Sequence, residues 1–330
     1  MIEQRGQKIP FSAWYKTDNF DINPYVQKLE KYLDDAIVTN SYQICVQMVC
    51  EVLGARQYAI PVILPVTASI QTLAGVYWSG ATPVLLDVDE TLNVQQGPLQ
   101  EALEGLGGAV VVIERVGGYD VPPALLEATK GVPTIVCTRY PPHLSKYELG
   151  LHGSFNIFDL KDVAGSGGVI YHEYDKQRMQ LRNLREGALG HDAQMSEKLA
   201  YSIYTKLNAS SKGRERTHNR IARRFEEELQ KYGQTAIMPW KPAKLAGTLF
   251  FTVPDVLYMQ QHLGSKGYPS RPAIIPLHRI QAVARRFPAS NEVKYPNADK
   301  LFNKILALPS HSGMEPYVEK IVKEMIEATK

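Results

Sequence analysis

The stretch FNIFDLKDVAGSGGVIY, residues 155–171, sets the problem. An apolar, aromatic-rich run of strand type leads to a single lysine, Lys161, and then to a glycine-rich return that opens a second apolar run. A lysine in that position reads in three ways: as a catalytic amine, as the remnant of one, or as an ordinary surface lysine. The rest of the chain has to decide.

Working back from Phe155, strand and helix signals alternate. Tyr58–Leu64 is a short apolar run closed by Pro65, Ser69–Ser79 has a helical pattern, and Thr82–Val88 a strand pattern. Leu99–Leu106 and Pro123–Lys130 are helical, with strands at Ala109–Glu114 (AVVVIE) and Pro133–Cys137 (PTIVC) around them. Short apolar strands alternating with helices predict an α/β fold, a mostly parallel sheet covered on both faces. Right-handed crossovers then bring the strand C-termini to one edge, where ligands usually bind.

Beyond Tyr171 the pattern changes. Asp175–Glu186 and Ser196–Leu207 are expected as helices, followed by a long charged helix at Lys212–Tyr232 that stops at Gly233. A strand at Gly247–Val253 and helices at Asp255–Leu263 and Glu315–Ala328 predict a smaller α+β unit. The expected division is residues 1–232 and 233–330.

Composition narrows the partners. The chain has 330 residues, 22% of them charged and a net charge of +3, too little to imply a nucleic-acid or anionic-membrane partner. The basic run in the long helix is followed at once by Glu226–Glu228 and reads as a solvated face. Cys45, Cys50 and Cys137 form no CxxC pair, so buried thiols in a reducing cytoplasm are expected. MIEQRGQKIP has no apolar signal-peptide core. Gln57–Leu86 carries no charge, but Pro61, Pro65, Gly75 and Gly80 interrupt it, which favours a buried strand and helix over a membrane span.

In their order, four segments resemble the DegT-type sugar aminotransferases, which have the fold-type I fold. They are GVYWSGATPVLLDVDETLNV (75–94), residues 155–171, SRPAIIPLH (270–278) and ADKLFNKILALPSHSGM (298–314). The resemblance implies a homodimer, or pairing with a related aminotransferase. It also implies pyridoxal phosphate (PLP) held on a lysine, and amino transfer to a keto nucleotide-sugar in amino-sugar or polysaccharide biosynthesis. Lys161 would be the Schiff-base lysine. Other positions depart from the family's pattern. Cys137 and Thr138 stand where the strand usually ends in Glu-Asp, and a hydroxyl cannot keep the pyridine nitrogen protonated. Thr39-Asn40-Ser41 replaces Ser-Gly-Thr at the phosphate helix, so Asn40 and Ser41 would hold the phosphate there. Ser69 replaces the stacking aromatic, and Asn156 the strand serine at the phosphate. In GHDAQMS (190–196), a segment that reaches into the neighbouring subunit in the family, Asp192 and Gln194 replace an asparagine and an arginine.

His278 and His311 lie in proline-containing turns that face the substrate in the family, where binding and turn packing are equally plausible roles. Asp87 and Asp89 form a DxD, read as a strand end rather than a metal site. His191 reads as a loop residue, and His143 carries no chemical signal around it. Two readings follow: a diverged PLP-dependent sugar aminotransferase, or an aminotransferase scaffold without PLP that acts as a binding or partner subunit.

Overall fold

The computed structural model describes residues 2–4, 7–9, 24–116, 121–138, 153–187, 193–233, 248–287 and 293–329. A hairpin of β1 (Ile2–Gln4) and β2 (Gln7–Ile9) comes first. The larger unit follows as α1 (Pro24–Tyr32), β3 (Ile37–Thr39), α2 (Tyr42–Val52), β4 (Val62–Pro65), α3 (Ile70–Trp78), β5 (Pro83–Leu86), α4 (Gln96–Leu106) and β6 (Val110–Arg115). It continues with α5 (Pro123–Ala128), β7 (Thr134–Thr138), β8 (Phe155–Asp159), the one-turn α6 (Lys161–Ala164) and β9 (Gly168–Tyr171). After α7 (Asp175–Arg185) and α8 (Glu197–Gln230) come β10 (Thr248–Thr252), α9 (Val256–Ser265), β11 (Arg271–Pro272), α10 (Gln281–Arg286), α11 (Pro296–Phe302), β12 (Ile305–Pro309) and α12 (Val318–Glu327).

The main sheet has seven strands in the order β3-β9-β8-β7-β6-β4-β5. Neighbours from β5 to β8 pair parallel, and β9 alone runs antiparallel to both of its neighbours. The apolar runs are near-continuous because both faces are covered. Val62, Leu64, Val110, Val112, Ile135, Cys137, Phe155, Ile157 and Ile170 pack under α2, α3 and α7. The alternate residues pack the other way. Ile63, Val111 and Ile113 meet α4 and α5, and Val38, Phe158, Val169 and Tyr171 meet α1 and α8. The chain crosses from β4 to β5 on one side and returns to place β6 on the other. The C-terminal edge between β4 and β6 is therefore a topological switch point, the usual place for a ligand crevice.

Two sequence expectations are revised. The helices expected at 196–207 and 212–232 are one helix, α8, of 34 residues. Asn208, Ala209, Ser210 and Ser211, which lie between them, include no proline, and Gly213 only weakens a helix without ending it. The strand expected at Tyr58–Leu64 begins only at Val62. Residues 53–59 turn on Gly54 and Ala59, both at positive φ, and Tyr58 is 67% exposed. The uncharged stretch 57–86 resolves into β4, α3 and β5. Among the described residues no helix is long and apolar enough to cross a membrane.

A second core joins the last turns of α8 (Ile221, Phe225, Leu229) to β10, α9, β12 and α12. Not everything beyond residue 233 belongs to it. Leu277, Val283, Tyr295 and Ala298 pack into the core of the main sheet. The Leu277 N–H donates to the Val66 carbonyl at 2.7 Å. Asp87, just past β5, accepts from the N–H groups of Asn297 and Ala298 at 3.0 Å each, capping α11 across the chain. Asp89 instead accepts from the N–H and hydroxyl of Thr91 within its own turn. Both carboxylates are engaged by protein donors, which supports the strand-end reading of the DxD. Among the described residues no His/Cys/Asp/Glu group is arranged to hold a metal ion.

Asp87→Ala leaves two helix N–H groups without their acceptor. It is expected to lower the unfolding free energy by about 1–2 kcal/mol in urea titration, and Asp89→Ala by clearly less.

Candidate functional site

The phosphate-side elements do converge. β3 leads through Asn40 and Ser41 into α2. The Asn40 N–H donates to the Ala193 carbonyl at 3.1 Å, and the Ser166 hydroxyl to the Asn40 carbonyl at 2.7 Å. Ser41 bridges to Gly167. Ser41 occupies the N-cap of α2, but its side chain makes no cap bond. The helix sits so close to β9 that a Cβ on Gly168 would lie 2.5 Å from Cys45 Sγ and 2.9 Å from Tyr42 Cα. Only glycine permits that approach. Ala193 and Met195 are buried within the same chain, whereas Gln194 is exposed and donates to Glu186 Oε2 at 3.0 Å. Asp192, His191 and His143 lie outside the described residues.

The residue that faces α2 from β8 is Asp159, not Asn156. Asp159 pairs with Gly168, and its charge helps push the neighbouring Cys45 thiol up. Asn156 pairs with Tyr171 near the other end of β8. It shares a face with Phe158, which packs toward α1 and α8, and its amide donates to Ser154 Oγ at 3.1 Å. Strand alternation is the reason: residues of odd number on β8 face α2, and those of even number face away. Asn156 therefore lies on the face turned away from α2, the helix that Asn40 and Ser41 lead into. Lys161 follows as the first residue of α6, exposed, with its backbone N–H on Asp159 Oδ1 at 2.8 Å.

The same alternation sets the face of Thr138. Glu114 pairs with Cys137, and Arg115 with Thr138. Cys137 packs with Tyr42 beneath α2, so Thr138 faces the opposite side of the sheet. It is buried there, and its hydroxyl has no hydrogen-bond partner among the described residues.

At the switch point the crevice is filled by a hydrogen-bonded cluster. Ser69 caps α3, accepting from the Thr72 N–H at 2.9 Å. The Ser69 N–H donates to Glu114 Oε1 at 3.1 Å, and the Thr72 hydroxyl donates to the same oxygen. The Tyr42 hydroxyl lies 3.0 Å from Thr72 Oγ1. Ser69 and Glu114 are 2% exposed, Tyr42 4%, and Cys137 and Thr72 fully buried, so no member presents a donor to solvent. Burial, reinforced by Cys137 and Glu114, pushes the Tyr42 phenol well above its ordinary value. Burial and Glu114 do the same to the Cys137 thiol. Thiol and phenol therefore stay protonated, and Glu114 is the acceptor around which the cluster is built. Glu114 and Tyr42 were not singled out from sequence. The available signal was a lone acid closing the apolar strand AVVVIE at the edge where ligands bind.

The substrate-side histidines are separate. His278 Nε2 lies 3.0 Å from Asp299 Oδ1, and Arg279 Nε donates to the same oxygen at 2.6 Å. Burial pushes the Asp299 carboxyl up, but the hydrogen bonds from Arg279 and His278 outweigh it and hold the group below its ordinary value. The His278 ring packs against Tyr295. His311 is exposed and opens the turn at Ser312–Tyr317. No described contact joins the two histidines.

The sequence pattern of the DegT/DnrJ/EryC1/StrS aminotransferase family matches residues 168–327. The chain resembles the DegT-type sugar aminotransferases. Among solved structures, PseC of Helicobacter pylori, an aminotransferase of pseudoaminic acid biosynthesis, superposes with a TM-score of 0.79. It is 14% identical and covers 96% of this chain and 94% of its own. DesV of S. venezuelae, solved with a ketimine intermediate, gives 0.77 at 18% identity, covering 94% and 90%. The sugar aminotransferase Spr1654 of Streptococcus pneumoniae in its PMP form gives 0.77 at 16%, covering 93% and 92%. No curated protein sequence matches the chain significantly. At these identities the structural likeness establishes the fold, that of the fold-type I aminotransferases.

The residues present do not fit the PLP of this family. A dianionic phosphate at the start of α2 would meet the buried Asp159 carboxylate. Neither Cys137 nor Thr138, the last two residues of β7, carries the carboxylate that a protonated ring nitrogen requires. Glu114, on the neighbouring strand β6, is already bound to Ser69 and Thr72.

Burial also makes the cysteines test the geometry. Cys45 and Cys50 are pushed up to about 12, so none of the three thiols should react with an aromatic disulfide reagent at pH 8 until the protein is unfolded. The unfolded thiols release their protons near their ordinary value of about 9 while the folded ones keep theirs, so the unfolded state binds fewer protons above that pH. Stability should therefore fall from about pH 9 toward 12. Urea titrations across that range check the sign.

Proposed function

We propose that this chain is a diverged, sugar-aminotransferase-type protein that takes a keto nucleotide-sugar or a related sugar ligand. It would serve amino-sugar or polysaccharide biosynthesis in the cytoplasm, as a binding or partner subunit without PLP. The family match and the structural neighbours support a sugar aminotransferase-type function. What carries the cofactor-free form is the Glu114 carboxylate, which already accepts from Ser69 and Thr72 at the crevice. The rest of the scaffold is kept. The end of the 270–278 segment is tied to the main sheet, where the Leu277 N–H donates to the Val66 carbonyl just past β4. The exposed side of the C-terminal edge keeps Lys161 and the Asn40–Ser41 turn as polar surface. Pairing with itself or with a related aminotransferase is part of the proposal.

A second reading, amino transfer through PLP, rests on Lys161, which is exposed and two residues beyond the end of β8. The Asn40–Ser41 turn at the start of α2 supports the same reading.

Thermal melting with a panel of nucleotide-sugars tests the proposal, each compared with its bare nucleotide. A specific ligand at a hundred times its dissociation constant stabilises the fold by about 2.7 kcal/mol, a readily measured rise in melting temperature. No rise with any sugar beyond that of the nucleotide alone would count against the sugar-ligand reading.

A further inference from the structure

We propose that Glu114 is a built-in occupant of the cofactor crevice: its carboxylate, locked by Ser69, Thr72 and Tyr42, holds the switch point closed, so that the crevice is part of the core and not a vacant site. The inference rests on the aminotransferase-fold reading, because that reading identifies the crevice. It goes beyond it by naming the side chains that fill it and by assigning them a structural task.

Four observations converge. First, the location is the β4/β6 switch point, where a sheet of this topology places its ligand. Second, the donors there are the kind that hold an anion, the N–H of the residue capping α3 and a hydroxyl in its first turn, and both already point at Glu114 Oε1. Third, Glu114 is fixed from behind as well, since its own N–H donates to Asn93 Oδ1 at 3.1 Å. Fourth, Tyr42 extends from the first turn of α2 to Thr72 on α3 and bridges the two helices that flank the crevice. Its ring is 4% exposed, and an aromatic ring of that size fills volume between them. A carboxylate carried by the chain and an aromatic ring carried by the neighbouring helix thus occupy the place of an anionic, aromatic ligand. The arrangement gains what a bound ligand gives, ordered helix starts and satisfied donors, without association.

This makes a different demand on the residues than a loss of cofactor contacts does. If the crevice were merely a disused pocket, trimming Glu114 would be harmless. If Glu114 is an occupant, its removal takes the acceptor from the buried Ser69 N–H, leaves the Thr72 hydroxyl only the Tyr42 and Ser69 hydroxyls as partners, and opens a small cavity.

The full-length chain tests this in two parallel measurements. Incubation with PLP followed by borohydride reduction and mass spectrometry reads any lysine adduct in the wild type and in Lys161→Ala. The expected result is that both proteins give the same small background. Melting temperatures of wild type and Glu114→Ala, with and without millimolar formate, read the occupant role. Glu114→Ala is expected to melt several degrees lower and to recover part of that loss with formate but not with chloride, while the wild type responds to neither. An adduct present in the wild type and lost in Lys161→Ala overturns the proposal. So does a Glu114→Ala protein that melts like the wild type. If Glu114→Ala does not fold, Glu114→Gln serves in its place. It keeps an acceptor oxygen, so it is expected to fold, to melt lower and to gain no adduct; a Gln variant as stable as the wild type overturns the role of the charge. Nucleotide-sugar binding is read separately. Its failure alongside a missing adduct removes the sugar-ligand reading and leaves the closed crevice standing.

Discussion

The arrangement turns on one buried hydrogen-bonded carboxylate. Glu114, the next-to-last residue of β6, lies at the point where the sheet's connections reverse direction, and a carboxylate there must be satisfied or it destabilises the whole edge. Ser69 and Thr72 satisfy it, which fixes the start of α3. Tyr42 joins Thr72, which ties α3 to α2. α2 in turn can lie where it does only because Gly168 has no side chain. The position of β9, and with it the Gly165–Gly168 return beside Lys161, follows from that contact. The site region is thus a set of mutually dependent packings rather than an open cleft with residues added to it.

Scaffold and cofactor chemistry make different demands on a sequence, and the physical reason is visible. Fold is specified by alternation of apolar residues over many positions, so single changes are tolerated. Cofactor binding depends on a few groups at fixed positions, and a change at any one removes it. Here a thiol faces α2 from β7, an aspartate faces it from β8, and Glu114 is the next-to-last residue of β6. Two carboxylates around a crevice that would have to receive a phosphate dianion are mutually incompatible with that ligand. They are compatible with a core in which each is held by backbone and hydroxyl donors.

Much of this fold was legible in the sequence. The alternating strands, the parallel sheet and the order of segments around residues 155–171 could be read from apolar runs and glycine positions. What the sequence left open concerns single-residue offsets. Thr138 and Asn156, expected at cofactor positions, both lie on the side of the sheet away from α2. A strand turns over its side chains at every step, so a displacement of one residue carries a group from the ligand side to the core side. Sequence spacing cannot resolve such an offset at a strand end. Glu114 was passed over because its chemistry lies in its surroundings, and the donors that give it meaning, on α3, are 45 and 42 residues away in sequence. Asp87 shows the same limit from the other direction. Read as a strand end, it proves to be a cap for a helix 210 residues later.

The most direct measurement is a crystal structure of the chain grown in the presence of excess PLP. A crevice with Glu114 Oε1 still within hydrogen-bond distance of the Ser69 N–H and the Thr72 hydroxyl, and with Tyr42 bridging α2 and α3, is the predicted result. Continuous density from Lys161 to a pyridine ring lying between α2 and α3, with Glu114 swung out of its place, would contradict it.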